Sequence, residues 1–172
     1  MGIGAFLNHK KSTAYYWRLR EKAINTPFRP LRLWYCLRHQ RYLEKFGGSI
    51  GLQTQFAGIP VFPHGFQGVF ISEGATIGEN CVIFHQVTIG SNTLSDSERA
   101  GSPTIGNNVY IGCGAKIIGN VRVGNHVRIG ANCVVTRDIP DNATVVLEKP
   151  RVIVREAPQE NRFVSFEEMT GK

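Results

Sequence analysis

An aliphatic residue recurs at every sixth position through the middle of this chain, and few folds accommodate that spacing. Ile71, Ile77, Ile83 and Ile89 lead successive sextets; after a gap, Ile105, Ile111, Ile117, Val123, Ile129 and Val135 lead six more. The fifth position of each sextet is small or β-branched as well: Ala75, Cys81, Val87, then Val109, Ala115, Val121, Val127, Cys133 and Ile139. This period matches neither an amphipathic helix nor the alternation of a half-buried strand. It fits a flat-sided coil in which each hexapeptide supplies a short strand and a turn, with positions one and five facing inward. Glycine or asparagine is expected to turn the corners, at Gly78, Gly106, Gly124, Gly130, Asn80, Asn108 and Asn120. One such coil cannot bury its apolar row alone, whereas stacked coils share a continuous core. The predicted class is an all-β solenoid.

The gap carries information of its own. Ile89 and Ile105 are sixteen residues apart, not a multiple of six, and SNTLSDSERAGSPT (91–104) is polar and free of the repeat. Long loops in compact domains are often functional, so a functional loop excursion over 91–104 is expected.

Outside the repeat, the chain reads as a basic helical appendage over 1–48, the solenoid over 49–154 and a polar tail over 155–172. Ser12–Ile24 and Pro30–Phe46 are the expected helices, the first opened by Ser-Thr and closed by Asn-Thr-Pro, the second stopped by Gly47-Gly48. The net charge of +7 is concentrated: residues 1–46 hold ten Lys or Arg against Glu21 and Glu44, a net +8, which leaves −1 for the rest. Capping the open end of the solenoid is the expected role of the helices. Peripheral contact with a membrane surface through basic residues 10–45 is a second expected role. No recognised binding motif accompanies the charge, so a nucleic-acid partner is not expected. In the tail, Phe163, Val164 and Phe166 are candidate docking contacts.

No apolar run approaches the ~18 residues of a membrane span, and no basic–apolar–small segment opens the chain. Cys36, Cys81, Cys113 and Cys133 share no CxxC spacing. The expected location is cytoplasmic, extending to the inner face of the membrane, with reduced thiols.

Over roughly Phe56 to Arg151 the sextets resemble those of the hexapeptide-repeat acyltransferases. GVFISEGATIGENCVIFHQVTIG (68–90) and IGCGAKIIGNVRVGNHVRIGANCVV (111–135) are most similar to the serine acetyltransferase branch and its relatives in surface-polysaccharide assembly. The resemblance implies a left-handed parallel β-helix of triangular section, assembly as a homotrimer, and acetyl-CoA as co-substrate.

Acyl transfer from a thioester to a hydroxyl needs a base, because an alcohol is protonated at neutral pH. An imidazole of ordinary pKa, ~6.5, suits that proton transfer. Of the five histidines, His9 and His39 fall in the appendage, where a solvated or capping role is expected, and His126 occupies an outward slot of VGNHVR. His64, in FPHGFQG, and His85, in IFHQVTIG, remain. The twenty-one residues between them amount to one coil plus a small irregularity, which sets both near one edge, a coil apart. Pro63 and Gly65 hold His64 in an irregular corner, and the resemblance implies that it is the general base. His85 is the second candidate, expected to orient substrate or line the pocket.

By the same resemblance, the pantetheine arm of coenzyme A lies between adjacent subunits along corner residues of successive coils. Those positions are Cys113 and Ala131, with Gly112, Gly114 and Gly130 alongside. Lys149 and Arg151, with Lys116 and Arg128, are candidates for the phosphates. Serine-using enzymes of this kind carry aspartates where this chain has Ser49 and Pro63, and an Asp-Arg-His-Pro where it has Ala100-Gly101-Ser102-Pro103. Burying a zwitterion without charged partners is costly, which argues for a neutral acceptor: a sugar hydroxyl, free or lipid-linked, in surface-polysaccharide biosynthesis. Serine O-acetylation is the first alternative and a non-catalytic β-helix scaffold the second. No metal is expected. Carbonic anhydrases of this fold use a His-x4-His pair that this sequence lacks, and Cys81 and Cys133 fall at inward positions.

Overall fold

The computed structural model describes residues 3–149, 152–156, 158–159, 162 and 168–169; Arg151, Phe163, Val164 and Phe166 lie outside them. Two helices, α1 (Ile3–Asn25) and α2 (Arg29–Glu44), precede a series of very short strands. These are β1 (Ser49–Ile50), β2 (Gln55–Phe56), β3 (Phe70–Ile71), β4 (Thr76–Ile77), β5 (Val82–Ile83), β6 (Thr88–Gly90) and β7 (Thr104–Ile105). They continue as β8 (Tyr110–Ile111), β9 (Lys116–Ile118), β10 (Arg122–Val123), β11 (Arg128–Ile129), β12 (Val134–Val135) and β13 (Thr144–Val145).

The strands stack, all in parallel, into three sheets: β1-β3-β6-β9-β12, β2-β4-β7-β10 and β5-β8-β11-β13. From β3 to β12 the chain visits the sheets in strict rotation, so each sheet is one face of a three-sided prism. Ile71, Ile89, Ile117 and Val135 lie over one another on the first face. Phe56, Ile77, Ile105 and Val123 do so on the second, and Ile83, Ile111, Ile129 and Val145 on the third. A regular coil takes eighteen residues, as from Ile71 to Ile89 and from Ile117 to Val135. The step from Ile89 to Ile117 takes twenty-eight, because ten residues leave the prism there. Asn92 and Gly101 close that excursion by exchanging backbone hydrogen bonds of 2.8 and 2.9 Å. The sixteen-residue gap in the sequence is therefore one sextet plus a pinched-off loop.

All ten sextet leaders are buried, as are the fifth-position residues from Ala75 to Cys133; Ile139 is partly covered. Strands of two or three residues have no stability of their own. This inward column holds the prism together, each fully buried Ile or Val contributing about 1.5–3 kcal/mol.

Of the residues expected to turn the corners, Asn80 and Asn108 do so, whereas Gly78, Gly106, Gly124, Gly130 and Asn120 are not left-handed. Left-handed backbone occurs at the fourth residue of the sextet: Asn80 (φ 53°), Gln86 (59°), Asn108 (56°), His126 (56°), Asn132 (59°) and Asn142 (61°). Asparagine adopts this conformation most readily among non-glycine residues. The glycines at position two serve close approach between coils. A Cβ on Gly78 would stand 2.4 Å from the Gly106 carbonyl oxygen, and one on Gly106 would stand 2.7 Å from that of Gly124.

At the N-terminal end, α1 begins at Ile3 rather than at Ser12. The residues upstream of the Ser-Thr pair contain no proline and include good helix formers, so the helix runs through it. α2 ends as its glycines predict: Gly47, at φ 59°, donates to Glu44 O (3.0 Å), and Gly48 donates to Leu43 O (3.2 Å). Both helices pack on the first coil. The Tyr16 ring lies 4.6 Å from that of Phe66, and Trp17 meets Phe56 edge-on at 5.0 Å. The Arg20 guanidinium donates to the carbonyls of Leu52 (2.8 Å) and Thr54 (2.6 Å). Carbonyls at the prism's open end thereby find partners that no further coil provides.

Candidate active site

The corner after the third face gathers the side chains that carry chemistry. Two residues beyond the stacked leaders Ile83, Ile111 and Ile129 come His85, Cys113 and Ala131. Their backbones are bonded coil to coil: Gly114 N–H donates to His85 O (3.0 Å), and Asn132 N–H donates to Cys113 O (2.8 Å). These three positions form a column along one edge of the prism.

The first coil joins this column through a longer turn. Val61 bridges to Val82, so Phe62 takes the leader's place on the third face. From β1 to β3 and from β2 to β4 the step is twenty-one residues, three more than a regular coil. The excess lies in the Pro63–Gly68 turn, where Gly65 and Gly68 take φ values of 67° and 61°. Phe66 drops into the core, fully buried against Phe62 (4.8 Å) and Tyr16 (4.6 Å). Gln67 O then accepts the Gln86 N–H at 2.8 Å, which restores the register.

This geometry leaves the His64 imidazole against that of His85, with ring centroids 5.1 Å apart and planes at 85°. Phe84 lies 5.6 Å from His64 and 5.1 Å from Tyr110, extending an aromatic row beside the pair. Both imidazoles are half-buried. His85 Nδ1 is buried and makes no hydrogen bond. Among the described residues, no carboxylate pairs with or hydrogen-bonds to either ring. Ser49 is exposed on β1, its N–H held by Val69 O at 2.9 Å.

The residues expected to hold the donor share this edge. Gly112 is buried, Cys113, Gly114 and Gly130 are half-buried, and Ala131 is exposed below His85. Lys116 is not a free cation, since its Nζ donates to Gln86 O at 2.6 Å and ties the turn beside His85. Arg128 is exposed on β11 and Lys149 is exposed past β13, while Arg151 is outside the described residues. Of the remaining histidines, His126 is a left-handed turn residue. His39 is not solvated: it is buried, with Nε2 3.1 Å from the Tyr16 hydroxyl. Among the described residues, no group of three or more His, Cys, Asp or Glu could hold a metal ion.

Sequence reasoning missed Phe84 and Phe66. Phe84 had a signal, being an aromatic in the position-two slot that Gly112 and Gly130 fill in later coils. Phe66 had none in the repeat, because it belongs to residues the repeat does not count.

The family model of the bacterial transferase hexapeptide (six repeats) matches residues 102–137. The chain is 47% identical over 92 residues to a serine acetyltransferase of Synechococcus elongatus, covering 54% of this chain and 36% of that one. Among solved structures, soybean serine acetyltransferase complexed with serine superposes with a TM-score of 0.66 at 30% identity, covering 83% of this chain and 57% of that one. The serine acetyltransferase of Brucella abortus in complex with coenzyme A gives 0.67 at 27% identity, covering 83% and 56%. The chain thus spans about half the length of such relatives, or less.

These similarities overturn the expectation of a sugar hydroxyl, free or lipid-linked, and of a place in polysaccharide biosynthesis: the relatives are serine acetyltransferases. That expectation rested on Ser49, Pro63 and the Ala100-Gly101-Ser102-Pro103 segment. Neutral residues there remove particular charged groups, not every group able to meet a zwitterion at an edge that is open on one side. The chain is a left-handed parallel β-helix whose residues 102–137 match the bacterial transferase hexapeptide (six repeats) model, and it resembles the serine acetyltransferases.

Proposed function

We propose that this chain is an acetyl-CoA-dependent O-acetyltransferase that acylates the hydroxyl of serine, acting as a homotrimer in the cytoplasm. The observation that carries the reading is the column His64, His85, Cys113, Ala131 on one prism edge, in a solenoid similar to serine acetyltransferases solved with serine and with coenzyme A. Exposed apolar side chains flank that edge on both adjoining faces, Val61 and Tyr110 on one and Phe70 and Val134 on the other. Apolar surface on both sides of an edge suits cover by a neighbouring prism, which would enclose the donor.

In this reading His64 accepts the proton of the serine hydroxyl as its oxygen attacks the thioester carbonyl. The tetrahedral adduct collapses with cleavage of the carbon–sulfur bond, and the departing thiolate takes the proton back from the imidazolium. The products are the O-acetyl ester and coenzyme A. His85, half-buried with its ring 5.1 Å from that of His64, orients the acceptor. Small side chains at Cys113 and Ala131 leave the edge open for an extended pantetheine arm, with the exposed Lys149 the candidate for its phosphates.

The test is release of free coenzyme A thiol from acetyl-CoA with and without L-serine, with mass spectrometry of the acceptor. Serine-dependent release with O-acetylserine as product supports the reading. Release that ignores serine, or none at all, refutes it.

A further inference from the structure

We propose that the outward side of α2 docks on an anionic phospholipid surface. From residue 22 to residue 43 the chain carries Lys22, Arg29, Arg32, Arg38 and Arg41 and not one Asp or Glu. α2 is apolar on two sides, and a helix of that kind needs cover on both. Its inward side is accounted for: His39 and Leu43 are buried, and Cys36 Sγ reaches Ala23 O of α1 at 3.8 Å. Its outward side presents Leu33 (62% exposed), Trp34 (49%) and Leu37 (48%), with Phe28 (65%) just ahead of the helix.

The cations rim this apolar strip. The Arg38 guanidinium sits 5.1 Å from the Trp34 ring, and Lys22 Nζ sits 5.4 Å from that of Tyr35. Trp and Leu beside Arg and Lys match the two layers of a bilayer interface, acyl boundary and phosphate. Charge decides between a lipid surface and another copy of this face. From residue 22 to residue 44 five cations stand against one carboxylate, Glu44, so two copies would set cations mainly against cations, whereas an anionic headgroup layer is complementary. No helix among the described residues is long and apolar enough to cross a membrane, so the contact is peripheral. The proposal is independent of which acceptor the prism edge acylates.

The experiment mixes the full chain with phosphatidylcholine vesicles or with phosphatidylcholine–phosphatidylglycerol vesicles, read by co-sedimentation and tryptophan emission. Binding is expected only to the anionic vesicles, with a blue shift from Trp34. The double variants Leu33→Ser/Leu37→Ser and Arg38→Glu/Arg41→Glu are each expected to bind about 10-fold more weakly or worse, with unchanged helical circular dichroism. Absence of binding to anionic vesicles, equal binding to neutral ones, or full binding by folded variants overturns the proposal. So does a change in sedimentation velocity of the vesicle-free protein in either variant, since that outcome assigns the strip to contact between copies.

Discussion

His64 and His85 stand edge to face with ring centroids 5.1 Å apart, although twenty-one residues separate them along the chain. The stacking of coils brings them together, and the three-residue excess at Pro63–Gly68 lets the earlier imidazole swing out to the edge while Phe66 turns into the core. A base and an orienting group in this relation can work on one hydroxyl: one removes its proton, and the other holds the molecule that bears it.

The two histidines should therefore fail differently. His64→Ala is expected to lower kcat ~100-fold or more, with the assembly unchanged by size-exclusion chromatography. His85→Ala is expected to act mainly on the KM for the acceptor. Steady-state kinetics with acetyl-CoA and L-serine separates the two effects. Near-normal kcat in the His64 variant would remove it from the role of base.

Donor binding can be challenged without touching either imidazole. Ala131 is exposed on the same edge, one coil below Cys113. Ala131→Phe would fill the path of an extended arm while leaving the inward column intact. A rise of about 10-fold or more in the KM for acetyl-CoA is expected, with little change in thermal midpoint. An unchanged KM places the donor elsewhere.

The column of leaders from Ile71 to Val135 was legible because burial every sixth residue is a local, repeated demand. The corners were legible only at Asn80 and Asn108. Gln86 and His126 adopt left-handed backbone at the fourth position, and neither residue type announces a turn. Gly78 and Gly106 look like turn glycines in sequence, yet their constraint is a carbonyl twenty-eight or eighteen residues further on. The pairing of His64 with His85 could be anticipated from spacing. The reason for it, an inserted turn anchored by Phe66 on Tyr16, depends on contact with a helix that the repeat says nothing about. Acceptor choice was misread for a related cause: neutral residues at 49, 63 and 100–103 are visible in a sequence, but what else faces an open edge is not.

Phe66 links the helices to the site, and its removal should affect both. The ring is fully buried among Tyr16, Phe62 and Phe46. Phe66→Ala is expected to cost about 3–5 kcal/mol in chemical denaturation, and to lower kcat further than the unfolded fraction explains. Phe66→Leu, which keeps most of the volume, should recover much of both. A variant that loses stability but keeps full turnover per folded molecule would show that the turn holds His64 without its anchor.

Acid should loosen the helical end before the prism itself. Burial, and after it the Arg20 charge, pushes the His39 pKa down to about 4, whereas an imidazole in an unfolded chain titrates at ~6.5. Between those values the unfolded chain binds a proton that the folded chain refuses, so stability rises with pH across that window. The contribution is complete above about pH 6.5 and is lost as pH falls toward 4, by up to about 3 kcal/mol. Asp138 and Asp141 act lower down. The Arg122 N–H, and then the Arg99 side chain, hold the first carboxyl below the usual range; the Asn125 backbone N–H and side chain do so for the second. Their stabilisation is present above the ordinary carboxylate pKa and fades only as pH drops through the depressed values. His39→Gln should therefore flatten the dependence of unfolding free energy on pH between about 4 and 6.5 while leaving the carboxylate-linked fall below it. Denaturant titrations at half-unit pH steps measure both slopes, and equal slopes in the upper window for wild type and variant would rule out His39 as the source.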